Sequence, residues 1–206
     1  MKSISATTIR PGDGILGRAW SALRRRGRLG WMRGVLLCGV TTAWGAAVPS
    51  AQFVHQVKAA YIFNFAKYVE WPADRFESGA SPIVIGVLAT GTVGEELRRI
   101  VKDRQINGRD ILVKTVGTPV EIRSVHILFV GVDEGSRFGE MAETLRRDAI
   151  LTVGESPKFT GAGGMISFVL QGNNVRFEIN QGAAEEAGLR ISSQLLKLAT
   201  EVRKKN

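Results

Sequence analysis

Residues 83–101 read IVIGVLATGTVGEELRRIV. The first seven, 83–89, form a continuous, uncharged, largely β-branched run, the pattern of a strand buried on both faces. Thr-Gly-Thr-Val-Gly at 90–94 breaks the run, and EELRRIV at 95–101 has the composition of a helix. A strand, a glycine turn and a helix open a βαβ unit. Residues 111–116 supply the next strand, and 125–132, VHILFVGV, another buried one. Between them Pro119 interrupts, and 120–124 has no readable period. A helix is predicted over 137–147, with Phe138, Met141, Ala142 and Leu145 on one face, followed by a short strand at 150–153.

After the glycine-rich loop 155–164, ESPKFTGAGG, the pattern changes. Residues 165–170 and 175–179 alternate around Gln-Gly-Asn-Asn, which predicts a hairpin. Val175, Phe177 and Ile179 should point inward, and Arg176 and Glu178 outward. Asn180 suits the N-cap of a helix over 181–187, and Gly188 its end. Ser192 or Ser193 should cap a final helix running through 201, with Leu195, Leu196, Leu198 and Ala199 at helical spacing. The predicted class is α/β: a single three-layer domain with a mixed β-sheet and a C-terminal hairpin plus helix.

The chain has 206 residues and a formal net charge of +9. Eight of its 28 Lys/Arg lie in residues 1–50, against Asp13 alone; the other twenty face eighteen acids. The folded part is therefore nearly neutral, and the basic balance gives no argument for nucleic acid. Residues 24–33 are basic, and 34–48, GVLLCGVTTAWGAAV, are apolar but too short and too Gly/Thr-rich for a comfortable membrane span. Small residues follow, as a signal-peptidase site requires. Residues 1–51 are expected to be a signal peptide with a basic N-terminal extension, cleaved between 45 and 52, leaving 52–206 as the exported domain. A retained anchor is the competing reading; Leu37 before Cys38 argues against a lipoprotein signal. Cys38 is the only cysteine, so cleavage would leave no thiol for a disulfide, a metal or a nucleophile.

Upstream of the βαβ unit lies VKAAYIFNFAKYVEWP, residues 57–72. Seven of the twelve aromatic residues after position 50 fall between Phe53 and Phe76. Pro72 holds Trp71 extended, so a helix here should stop near Glu70. At about 100° per residue, Val57, Tyr61, Ile62, Phe65, Tyr68 and Val69 share an apolar arc. Asn64, Lys67 and Glu70 mark the other side, with Phe63 among them. An aromatic on a polar face marks a contact surface, so Phe63, Lys67 and Glu70 are the candidate partner-contact residues. The competing reading is a helix packed on both sides, with Phe63 in the core.

Catalytic patterns are scarce. His55 and His126 lack HExxH-type spacing, and His126 in an apolar strand reads as a satisfied core residue. No Gly-x-Ser-x-Gly elbow occurs. The adjacent acids Glu95-Glu96, Asp133-Glu134 and Glu185-Glu186 read as solvated edges, since helix neighbours diverge by about 100°. TGTVGEE lacks the GxGxxG fingerprint, and Lys114 and Thr115 stand where an acid would end the second strand.

The stretch at 57–72 resembles the opening motif of the YfiR family. VHILFV at 125–130, GGMISFVLQGNNVRFEIN at 163–180 and AGLRISSQLLKLA at 187–199 continue the likeness in the family's order. The resemblance implies a periplasmic regulator, not an enzyme and without a cofactor. It would bind the periplasmic sensory domain of an inner-membrane diguanylate cyclase and repress it, lowering cyclic di-GMP signalling and biofilm formation. An outer-membrane lipoprotein is the second implied partner. The expected absence of any thiol in the mature chain departs from family members whose disulfides are redox-sensitive. The alternative is a periplasmic small-molecule sensor, with a pocket between the strand ends and the glycine-rich loop and no cyclase partner. The oligomeric state stays open, a homodimer included.

Overall fold

The computed structural model describes residues 50–204. The predicted basic extension, the apolar stretch with Cys38 and most of the predicted cleavage region lie outside the described residues.

Helix α1 (Ala51–Tyr68) starts earlier than the aromatic motif, because the Ser50 hydroxyl accepts the Phe53 N–H at 3.3 Å and caps it. It ends at Tyr68 rather than Glu70. The two residues before Trp71-Pro72 already form β1 (Val69–Glu70), paired antiparallel with β9 (Arg190–Ile191). A 3₁₀ turn, Ala73–Arg75, follows Pro72.

The strand-turn-helix at 83–101 is β2 (Ile83–Leu88) and α2 (Val93–Val101). A two-strand hairpin follows, β3 (Gln105–Ile106) and β4 (Arg109–Thr115), turning on Asn107 and Gly108, both at positive φ. The stretch that had no readable period is α3 (Pro119–Arg123). It is held by a capping box: the Thr118 hydroxyl accepts the Glu121 N–H, and the Glu121 carboxylate accepts the Thr118 N–H. Next come β5 (Ile127–Val130), α4 (Gly135–Arg147) and β6 (Leu151–Gly154). The predicted hairpin is β7 (Ile166–Gln171) and β8 (Asn174–Asn180).

Among the described residues, eight strands, the last being β10 (Glu201–Arg203), form one sheet in the order β10-β8-β7-β6-β5-β2-β4-β3. Its centre is parallel, whereas β7/β8 and β3/β4 are antiparallel, so the sheet is mixed. The continuous runs of β2, β5 and β6 are buried throughout, because helices cover both faces. On one face Ile85, Val87, Phe129 and Val153 pack with Phe65 of α1, Leu97 of α2 and Ala184 of α5 (Gln181–Glu186). On the other, Leu88, Leu128 and Val130 pack with Ile122 of α3 and Phe138 and Leu145 of α4. This is the three-layer α/β arrangement.

The C-terminal end corrects one expectation. Ser192 caps α6 (Ser193–Leu196), accepting from the Leu195 N–H, but the helix lasts only one turn. The Thr200 N–H and hydroxyl both donate to the Phe177 carbonyl, at 2.9 and 3.0 Å, and draw the chain onto β8. Glu201–Arg203 become β10, parallel to β8, and Leu198 is left exposed. A second correction concerns Glu96. It is buried rather than solvated, and Arg99 one turn on chelates its carboxylate at 2.8 and 3.0 Å.

Candidate contact face and the two ends of the sheet

In open α/β sheets a ligand crevice forms at the carboxyl ends of the strands, where the strand order reverses. Here that point lies between β2 and β5, and it is closed. The Gly131 N–H donates to the Leu88 carbonyl at 2.9 Å, and a Cβ on Gly131 would lie 2.7 Å from that of Ala89. The start of α1 crosses the same end. Lys58 pairs with Glu155 after β6, and His55 bonds the Thr92 hydroxyl at the start of α2. The glycine-rich loop is filled by its own Phe159, which is fully buried and packs tilted against Phe138, with ring centroids 4.3 Å apart.

The outer side of α1 and the β1 strand that follows it carry the three candidate contact residues, and the structure corrects one of them. Lys67 and Glu70 are exposed, but Phe63 is only 4% exposed and belongs to the core. The physical reason is tertiary. Arg104, just before β3, places its guanidinium 5.5 Å from the Phe63 ring centroid, and Lys67 brings its ammonium to 4.6 Å. A helical wheel of α1 alone holds no trace of Arg104. Glu70 meets Arg190 at 3.8 Å across the β1/β9 pair, with both side chains exposed. The face therefore presents a polar surface, Lys67, Arg104, Glu70 and Arg190, over a buried aromatic.

At the amino ends of the strands a second cluster ties the segment after α1 to the sheet. Trp71 is half-buried, and its indole N–H donates to the His126 carbonyl at 3.2 Å. The His126 ring accepts the Val84 N–H on Nδ1 at 3.1 Å, so Nε2 carries the hydrogen and donates to the Arg75 carbonyl at 3.2 Å. Both ring nitrogens are thus engaged by backbone, and His126 is a satisfied core residue. Burial holds its pKa below the ordinary value, with the nearby Arg75 and Arg109 charges acting in the same direction. Arg109 lies 3.9 Å over the Phe76 ring and donates to the Ser78 and Ser81 carbonyls at 2.9 and 2.6 Å. Two cavities open beside this cluster. One of about 190 Å³ is lined by Val69, Trp71, Phe76, Ile106 and Arg109. The other, of about 320 Å³, is lined by Arg75, Ser81, Arg123, Ser124 and His126.

The aromatic first helix, the mid-chain strand that follows His126, the hairpin and its closing turn thus belong to one fold. The model of the YfiR/HmsC-like family matches residues 55–200, a span that takes in all four. The chain belongs to the YfiR/HmsC-like family. Among solved structures it is similar to a conserved domain protein from Vibrio cholerae O1 biovar El Tor, at 13% identity and a TM-score of 0.50. The match covers 72% of this chain and 60% of that one, and it speaks for the fold alone. No curated protein sequence matches this member of the family.

Of the residues that shape the candidate face, Arg104 and Arg190 had no signal in the sequence. Arg104 reaches Phe63 of α1 and Arg190 reaches Glu70 of β1, each from a segment distant in the chain. His126 was legible as a core residue, but its bond to Trp71 was not, since the segment after α1 that brings the indole to it is remote in the chain.

Proposed function

We propose that this YfiR/HmsC-like protein is a periplasmic repressor, exported by its N-terminal segment. In this reading residues 52–206 bind the periplasmic sensory domain of an inner-membrane diguanylate cyclase and hold the enzyme off. Membership of the family over residues 55–200 carries the reading; the family is regulatory rather than catalytic. The closed carboxyl end of the sheet supports it, because surface rather than crevice is what the domain offers there. The contact is assigned to the outer side of α1 and β1: Lys67 and Glu70, with Arg104 and Arg190 beside them and Phe63 as the buried support of the cations. An outer-membrane lipoprotein that sequesters the repressor is the second partner in this reading.

The test is capture of a GGDEF-type membrane protein on the purified domain from solubilised inner membrane, together with cyclic di-GMP measured after deletion of the gene. Deletion should raise cyclic di-GMP, and Lys67→Glu with Glu70→Lys should reduce capture without lowering the melting temperature. Unchanged cyclic di-GMP in the deletion strain would overturn the reading. A second reading, a small-molecule sensor, rests on the cavity of about 320 Å³ beside Arg75 and His126. It predicts ligand-induced shifts of the His126 ring resonances.

A further inference from the structure

Arg75 is half-buried, and no carboxylate lies within ion-pair distance of it among the described residues. Its Nη2 donates to the Val125 carbonyl at 2.8 Å. Its Nε is buried and has no partner among the described residues. Buried donors are normally paired, and a cation taken out of water without an opposite charge is costly. The backbone of Arg75 is fixed too, since its carbonyl accepts from His126 Nε2 at 3.2 Å. The guanidinium is thus held at the amino ends of β2 and β5, on the wall of the cavity of about 320 Å³.

The other groups around that cavity decide what it can take. Arg123 adds a second guanidinium, but its Nε already meets the Asp148 carboxylate at 3.4 Å, and its side chain is largely in solvent. The two hydroxyls are committed within the protein. Ser124 Oγ donates to the Glu121 carbonyl at 2.7 Å, and Ser81 Oγ accepts the Ser78 N–H at 2.9 Å. Both ring nitrogens of His126 are engaged by backbone. Glu77 is exposed on the lining and brings one negative charge, while Pro82 and Val84 add apolar wall. Recognition of charge therefore falls to Arg75, with Arg123 beside it. Glu77 penalises a second negative charge on anything that enters.

We propose that this cavity binds a small organic carboxylate, its negative charge on the Arg75 guanidinium and its apolar body against Pro82 and Val84. The proposal rests on the small-molecule reading of the cavity and names the class of ligand. A planar guanidinium matches a carboxylate with two parallel charge-assisted hydrogen bonds. Partly shielded from water, such a pair outweighs one on the open surface. A phosphate dianion would meet Glu77, and a neutral molecule would leave Arg75 without an opposite charge. The volume lies at the small end of ligand sites, which suits a small acid rather than a large cofactor. His126 reports the charge without binding it. Burial holds the ring neutral, and the Arg75 and Arg109 charges act in the same direction. An anion on Arg75 should therefore raise the His126 pKa, whereas a neutral occupant should not.

The test is an NMR titration of the full-length protein with three probes: benzoate, benzamide, which has the same shape without the charge, and inorganic phosphate. Benzoate should shift the Arg75 Nε–H resonance, raise the His126 pKa, and bind about tenfold more tightly than either of the others. Arg75→Gln should weaken benzoate binding about tenfold, and Glu77→Gln should tighten it several-fold. Arg75 also holds the Val125 carbonyl, so if Arg75→Gln folds poorly, the exposed Glu77→Gln decides. Benzamide binding as tightly as benzoate, or phosphate more tightly, overturns the carboxylate assignment and leaves the small-molecule reading standing. A benzoate affinity that Glu77→Gln leaves unchanged also overturns the assignment. If none of the three probes moves the Arg75 or His126 resonances, the assignment and the reading it rests on fall together.

Discussion

The His126 ring stacks on Phe76, with 4.5 Å between centroids and 14° between planes. The stack joins the segment after α1 to the start of β5, and it does so with a neutral imidazole. Protonation would turn Nδ1 from an acceptor into a donor and set it against the Val84 N–H. It would also charge a ring that burial and two arginines keep neutral.

Stability should therefore depend on pH in a defined direction. The folded-state pKa of His126 lies below its ordinary value of 6.5, so between the two the unfolded chain binds more protons. The contribution is fully present above about pH 6.5 and is lost as pH falls below it toward the folded pKa. Urea midpoints measured from about pH 7.5 down to 5 should decline, and NMR titration of the ring should give a value below 6.5. A folded-state value above 6.5 would contradict the geometry.

Phe63→Ala and Phe65→Ala should both destabilise the domain. Both side chains are buried, at 4% and 0% exposure, and Phe-to-Ala core changes cost about 3–5 kcal/mol. Thermal melts of the two variants provide the check. A near-native melting temperature for Phe63→Ala would mean that its ring is not in the core.

Two glycines packed against Phe159, Gly154 at the end of β6 and Gly164 in the loop, should tolerate no side chain. A Cβ at Gly154 would lie 2.4 Å from the Phe159 ring, and one at Gly164 would lie 2.2 Å from the ring and 2.8 Å from the Phe159 carbonyl oxygen. Gly164→Ala should cost about 1–3 kcal/mol through overpacking. Combining Gly154→Ala with Phe159→Leu should recover part of the loss due to Gly154→Ala alone, as read from chemical denaturation.

Trp71→Phe keeps the ring packing against Phe76 but removes the indole N–H from the His126 carbonyl. The loss should be about 0.5–1.5 kcal/mol, the net worth of one hydrogen bond. A loss several times larger would indicate that the indole packs more tightly than its partial exposure implies.

Much of the architecture was legible because burial on both faces leaves continuous apolar runs. Residues 83–89 and 125–132 contain β2 and β5, residues 150–153 cover all but the last residue of β6, and alternation marked β7 and β8. Two local readings failed for one reason: a partner remote in sequence outweighed the local pattern. Leu195, Leu196, Leu198 and Ala199 have helical spacing, yet the bonds from Thr200 to Phe177 pull the chain out after one turn. Phe63 sits among polar residues on the wheel, yet Arg104 and Lys67 cover it. The candidate contact face was half-readable on the same grounds: Lys67 of α1 and Glu70 of β1 lie within one sequence motif, whereas Arg104 and Arg190 are delivered by topology.

The rings that anchor α1 come from the far end of the chain. Tyr61 and Phe65 pack on Phe168 and Phe177, about a hundred residues downstream, a separation that slows folding because the loop must close before the contact rewards it. Until the β7/β8 hairpin exists, α1 has no aromatic surface to bury, and an isolated helix of its length is marginal in water. The aromatic half of the packing of α1 is therefore among the last contacts that a chain made from its N-terminus can form.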